Sequence, residues 1–275
     1  MNHFIVPVDF SETSKNAARF AAHLSAEVRD AHIILYNVFD PIEAGSDGTP
    51  LDSDVKERRA LMELALKSVV TELSGLTNAK ITVTAEEGKH LVECLEGYVR
   101  RHKIQLIIMG ITGASKVGQI FMGSNTLHVV AQGIAPVIIV PPDAHFKGAK
   151  NVMLITDFKD VDKTIPIGPI RELLRLLKPN LHIVNVDSEH YVELSDEYKV
   201  ERAKLDKMVK EFKPEYYFIR MYDFMDAINQ FVDDKNIDMI LTIPRSHSFL
   251  TNVFKGTHTS KLAYHSHVPI VAIHS

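Results

Sequence analysis

The segment GITGASKVGQIFMGSN, residues 110–125, places three glycines, Gly110, Gly113 and Gly123, ahead of Ser124, Asn125 and Thr126. It leaves an apolar run, Leu106–Met109, and leads into residues of helical period. That position suits the binding of phosphate. A helix start offers N–H groups without intrahelical partners and a partial positive charge. Glycines let the backbone take positive φ and let oxygens approach with no Cβ in the way. The side chains at 124–126 can add hydrogen bonds. The same residues also read as a shaped strand-to-helix loop with Ser124 as its N-cap, and spacing alone leaves both readings open. The loop contains neither GxxxxGKS/T nor GxGxxG, which excludes a P-loop and the dinucleotide fingerprint. A lysine-containing stretch, Lys207–Glu211, lies in a highly charged segment and reads as a solvated helix face.

The elements that position this loop occur twice. Pro136–Val140 matches Pro269–Ile273, 133 positions further on, and the same offset pairs Gly123 with Gly256 and Met109 with Thr242. At the front, Val6–Phe10 matches Leu154–Phe158 at an offset of 148. The middle of the second copy is therefore shorter by 15 residues, and the chain is a tandem duplication. The expected division is an N-terminal domain at 1–143 and a C-terminal domain at 150–275, joined by a short polar linker.

Apolar runs predict strands near 3–8, 32–38, 80–84, 104–109 and 136–140 in the first copy. Helical periodicity predicts helices near 13–29, 54–75, 91–102 and 124–133 between them. In the second copy the predicted strands lie near 152–156, 181–186, 215–220, 237–242 and 268–273. Alternation of this kind gives an α/β fold: two tandem domains, each a parallel sheet flanked by helices. Residues 40–53, rich in Gly, Asp and Pro, form the longest predicted loop.

Composition narrows the function. A hydrophobic content of 45% and a charged content of 24% describe a globular chain able to bury two cores. The net charge of −4 leaves no basic footprint for nucleic acid. The single cysteine, Cys94, excludes an internal disulfide, suits a reducing cytoplasm and reads as a buried helix residue. HFIVPV meets Asp9 and Glu12 too soon for a signal h-region. No apolar run approaches the ~18 residues of a spanning helix. The expectation is a soluble, cytoplasmic protein with no membrane partner.

The spacing G-x2-G-x9-G-S, met by Gly110, Gly113, Gly123 and Ser124, resembles the ATP-binding signature of the universal stress protein family. IVPVDFSETSKNAARFAAHLS at the front and APVIIVPP at the close of the first copy are similar to that family too. The resemblance covers both halves and implies five-stranded sheets of the adenine-nucleotide α-hydrolase type (Rossmann-like). It also implies the ligand contacts. Pro7, Val8 and Asp9 would meet adenine and ribose, and Val38 and Met109 would flank the base. Gly110, Gly113, Gly123, Ser124, Asn125 and Thr126 would hold ribose and phosphates. A carboxylate at Asp9 can accept from ribose hydroxyls or the adenine amine; its other reading is a cap or turn residue before a helix beginning near Ser11.

In the second copy Gly110 becomes Ile243, Gly113 becomes Ser246 and Ser124 becomes Thr257, while Asp157 stands in place of Asp9. If Gly110 needs positive φ, Ile243 cannot copy it without strain, and Pro244 removes an N–H donor. Arg245, His247, Lys255 and His258 leave open an anion held by side chains, against a degraded surface loop. His265 and His267 could face one side of an extended segment, but without a third ligand they read as turn residues rather than a metal site. The expected function is an ATP-binding regulatory protein of the stress response, with Mg2+ as the nucleotide's companion. It would bind one ATP in the N-terminal domain, with the C-terminal domain as pseudo-dimer partner. A homodimer of tandem chains and a regulatory protein partner complete the expectation. The alternatives are a slow ATPase or phosphotransferase, although no general base marks the loop, and a sensor whose C-terminal domain takes a different ligand.

Overall fold

A computed structural model describes residues 1–41, 52–111, 123–186, 196–220, 223–244 and 268–274, apart from the side chains of 52–54 and 225. The first copy opens with β1 (Asn2–Pro7), whose last four residues are buried. Helix α1 (Glu12–Glu27) starts at Ser11, whose hydroxyl accepts from the Ser14 N–H. Its alanines Ala17, Ala18, Ala21 and Ala22 are fully buried, a small-residue face that lets the helix lie close on the sheet. There follow β2 (Ala31–Phe39), α2 (Asp52–Leu73), β3 (Lys80–Glu87), α3 (Leu91–His102) and β4 (Ile104–Gly110). Helix α4 (Ser124–Gln132) and β5 (Val137–Val140) complete the copy. Most of the predicted 40–53 loop lies outside the described residues.

The second copy repeats the plan with β6 (Asn151–Ile155), α5 (Val161–Thr164), α6 (Ile167–Leu177) and β7 (Asn180–Val186). It continues through α7 (Asp196–Val209), β8 (Glu215–Ile219), α8 (Phe224–Lys235), β9 (Met239–Thr242) and β10 (Ile270–Ala272). Where α1 is one helix of 16 residues, the equivalent segment is split into α5 and α6 at Pro166, whose missing N–H cannot continue the helix. Lys207 is exposed on α7, as its charged surroundings predict.

The ten described strands form one sheet in the order β3-β2-β1-β4-β5-β10-β9-β6-β7-β8. Each half is parallel throughout, and the two meet where β5 pairs antiparallel with β10, Ile138 opposite Val271. The two five-stranded sheets are thus one continuous sheet. The seam is made by the final strand of each copy, and it hides two apolar edges that would otherwise template aggregation. Residues on one face of both halves, among them Val6, Leu106, Leu154 and Leu241, share a single buried cluster.

The linker is less polar in its contacts than in its composition. Asn16 on α1 is buried, and its Nδ2 donates to the carbonyls of Pro141 (3.2 Å), Pro142 (3.2 Å) and Ala144 (3.1 Å). Phe146 sets its ring edge-on against Phe20. The segment expected as a polar tether is docked onto α1.

Candidate functional site

The strand order places β1 beside β4, so the chain runs to opposite sides of the sheet from these neighbours. Open α/β sheets hold ligands at the carboxyl ends of such strands. A cleft of about 380 Å³ lies there. Ten of the residues proposed from sequence line it: Pro7, Val8, Asp9, Val38, Met109, Gly110, Gly123, Ser124, Asn125 and Thr126. Gly113 lies outside the described residues.

At the end of β1 the backbone is tied to β2. The Val8 N–H donates to the Tyr36 carbonyl (2.8 Å), and Asn37 Nδ2 donates to the Val8 carbonyl (2.8 Å). Asp9 is exposed; its Oδ1 accepts from the Ser11 N–H (3.1 Å) and the Ser11 hydroxyl (2.5 Å). Ser11, not Asp9, is the N-cap, and Asp9 orients it. Between them Phe10 takes φ 65°, an unusual conformation for a bulky residue.

At the end of β4 two readings that the sequence left open are decided. Gly110 continues the strand and is not at positive φ, and the N-cap glycine Gly123 has φ −58°. What Gly110 requires is room. A Cβ there would stand 2.7 Å from the Thr13 carbonyl oxygen in the first turn of α1, a backbone atom that cannot yield. Ser124 is likewise not the cap of α4. That place belongs to Gly123, which makes no side-chain cap bond, while its N–H donates to the Ile111 carbonyl (2.7 Å). The Thr126 hydroxyl donates to the buried Gly110 carbonyl (3.1 Å), so its proton serves the fold rather than a phosphate. The first turn of α4 faces the cleft with exposed Ser124 and Asn125.

The other wall was missed in the sequence reading. Tyr36, Asn37 and Asp40 from β2 and its end, Gly88, Lys89 and Leu91 between β3 and α3, and Ser14 also line the cleft. A polar Asn37 near the carboxyl end of the apolar run AHIILYNVF was the available signal. The Tyr36 hydroxyl donates to Glu86 Oε2 (2.6 Å), and burial, then Glu86, pushes its pKa far above the usual phenol range. Cys94 is half-buried, its sulfur packed beneath Gly88, and burial pushes its thiol up. Lys89 is the one cation among the described lining residues, against the carboxylates of Asp9 and Asp40.

The model of the universal stress protein family matches residues 1–141. The chain belongs to the universal stress protein family. Among curated relatives, a universal stress protein of Thermus aquaticus is 25% identical over 136 residues, spanning 50% of this chain and 96% of the relative. One from Methanocaldococcus jannaschii is 27% identical over 140 residues, spanning 50% of this chain and 79% of the relative. Among solved structures, a universal stress protein of Archaeoglobus fulgidus superposes with a TM-score of 0.70 at 18% identity. It covers 99% of this chain and 98% of its own, so the fold of both halves is shared.

The second half of this universal stress protein repeats the β1 end but not the β4 end. The Thr156 N–H donates to the Val184 carbonyl (3.0 Å), and Asn185 Nδ2 donates to the Thr156 carbonyl (2.8 Å). Asp157 accepts from the Lys159 N–H (3.1 Å), and Phe158 again has positive φ, 50°. In place of Gly110, however, Ile243 is buried in the cluster that also holds Phe158 and Val161. Arg245, Ser246, His247, Lys255, Gly256, Thr257, His258, His265 and His267 lie outside the described residues. Among the described residues no helix is long and apolar enough to cross a membrane.

Proposed function

We propose that this universal stress protein is an ATP-binding regulator of the stress response, holding one ATP in its N-terminal copy. The observation that carries the reading is the convergence of five separate segments on one cleft at the β1/β4 switch point. Phosphates fit the first turn of α4, where the N–H groups of Ser124, Asn125 and Thr126 precede the first intrahelical bond. Ribose hydroxyls fit the carboxylate of Asp9, and the base fits over β2 beside Val38. With two carboxylates and one lysine along the described lining, a triphosphate calls for a cation of its own, the role assigned to Mg2+.

Regulation is favoured over hydrolysis by the placement of the carboxylates. Asp40 follows β2, two strands from β4, and Asp9, after the neighbouring β1, is engaged by the Ser11 N–H and hydroxyl, while the phosphates fit at α4. The C-terminal copy acts as pseudo-dimer partner through the β5–β10 seam. A cytoplasmic protein partner would read the occupied state, in a single chain or a homodimer of tandem chains.

Calorimetry with ATP and Mg2+ is expected to give one site per chain. Gly123→Val should abolish it with the fold intact, because the backbone angles at 123 admit valine while its side chain obstructs the approach to α4. Absence of binding to the wild type at millimolar ATP overturns the proposal.

A further inference from the structure

We propose that Arg58 is a positioning residue of the cleft: from behind, it holds the ends of β2 and β3 at the spacing that receives the base of a bound nucleotide. This rests on the nucleotide reading above and adds the residue that shapes the base end of the site.

The base end is built from two strand exits. Val38 and Asp40 line the cleft where β2 ends, and Gly88, Lys89 and Leu91 line it where β3 gives way to α3. Phe39 and Glu87 are the last paired residues of the two strands. Just beyond them the Gly88 N–H donates to the Phe39 carbonyl (3.0 Å). After that the ladder no longer fixes the distance between the exits.

Arg58, on α2, continues the tie from the other face of β2. Successive strand residues point to opposite faces. Val38 lines the cleft, and Phe39, next along, turns its ring to the Arg58 guanidinium, whose central carbon lies 5.1 Å from the ring centroid. Arg58 Nη2 donates to the Asp40 carbonyl (2.6 Å), and Nη1 stands 3.9 Å from Glu87 Oε1. One planar group therefore meets the Phe39 ring, the carbonyl of the next residue and the carboxylate that ends β3. A charge-assisted bond to a backbone carbonyl fixes the main chain itself, not only a side chain. Arg58 is not among the described residues that line the cleft, so it acts on a ligand through the wall it holds.

The strand order says which part of a nucleotide this wall meets. From β4, which leads to α4, the sheet crosses β1 before it reaches β2 and then β3. At about 4.8 Å per strand, β2 lies roughly 10 Å from β4, past the ribose and at the base. The clamp is thus remote from the phosphates.

The test titrates AMP, ADP and ATP, each with Mg2+, by calorimetry on the full chain, and follows amide hydrogen exchange without ligand. Arg58→Ala is expected to weaken all three nucleotides by the same factor, about tenfold, because they share base and ribose. Removal of a charge alone would weaken ATP more than AMP, and that pattern overturns the assignment. So do unchanged affinities in the folded variant. Arg58→Lys keeps the charge but loses the planar fork, and should show the same loss; recovery of wild-type affinity overturns the assignment as well. Without ligand, both variants should exchange faster at 86–91 and not along β1 or β4. Unchanged exchange at 86–91 means that Arg58 does not hold the wall, whether or not nucleotide binds. Wild type that binds none of the three overturns the nucleotide reading and the role of Arg58 toward a ligand, and faster exchange in the variants then places the failure in that reading rather than in the clamp.

Discussion

At the ends of their first strands the two copies are built alike; at the ends of their fourth strands they part. Asn37 and Asn185 make the same bond across the first two strands, and Phe10 and Phe158 share the same left-handed turn after an aspartate. These features stabilise the sheet whether or not a ligand is present, so a copy can keep them after its site has changed. Gly110 and Ile243 are different. One leaves space against the first turn of α1; the other fills a core beside α5, which belongs to a helix broken at Pro166. The duplication thus separates what both sheets share from what only the first copy's cleft has at the end of its fourth strand.

The sharpest way to break that contrast is to exchange the residues. Gly110→Ile, which copies the second half into the first, is expected to destabilise the chain by ~3 kcal/mol, since its Cβ meets the Thr13 carbonyl. Ile243→Ala should cost about 2–4 kcal/mol through a cavity. Urea unfolding measures both; a neutral Ile243→Ala would mean that the second site is open rather than filled.

A smaller effect is expected at the linker. Asn16→Ala removes a shared donor from three linker carbonyls, of which Pro141 keeps the Ala144 N–H, and should cost ~1–3 kcal/mol, with faster proteolysis between 141 and 150. Its counterpart Thr164 caps its own turn by donating to the Lys159 carbonyl, so Thr164→Ala should leave linker cleavage unchanged. Equal proteolysis of both variants would remove the distinction.

The smallest effect concerns acid. His182 in β7 occupies the place of Ile34 in β2, buried between Tyr217 and Phe231 with neither ring nitrogen hydrogen-bonded. Burial holds its pKa below the usual histidine value, with Glu215 opposing and Lys235 assisting. The unfolded chain then takes up the proton first, so stability is complete above about pH 6.5 and declines as pH falls below it. His182→Ile should flatten that decline in thermal melts between neutral and mildly acidic pH. An unchanged slope would assign the acid sensitivity elsewhere, His32 being a second histidine lowered by burial.

Much of this was legible in the sequence. The run at 104–109 became Ile104–Gly110, and that at 80–84 became the longer Lys80–Glu87, because apolar runs between turn residues report strand burial directly. The cleft-lining ends of β1 and β4 were legible through their glycines and Asp9. Apart from Val38 the β2 wall was not, since nothing local to Asn37 says that its amide meets Val8, 29 residues away.

By itself, the sequence determined the duplication, the alternation of strands and helices and the loop that begins α4, all of which depend on short-range pattern and spacing. Only the tertiary structure decided why Gly110 must be glycine, that the Thr126 proton is already used, and that the linker is gripped by Asn16. Each of those depends on an atom brought close by folding from a distant part of the chain, and no periodicity records such a neighbour.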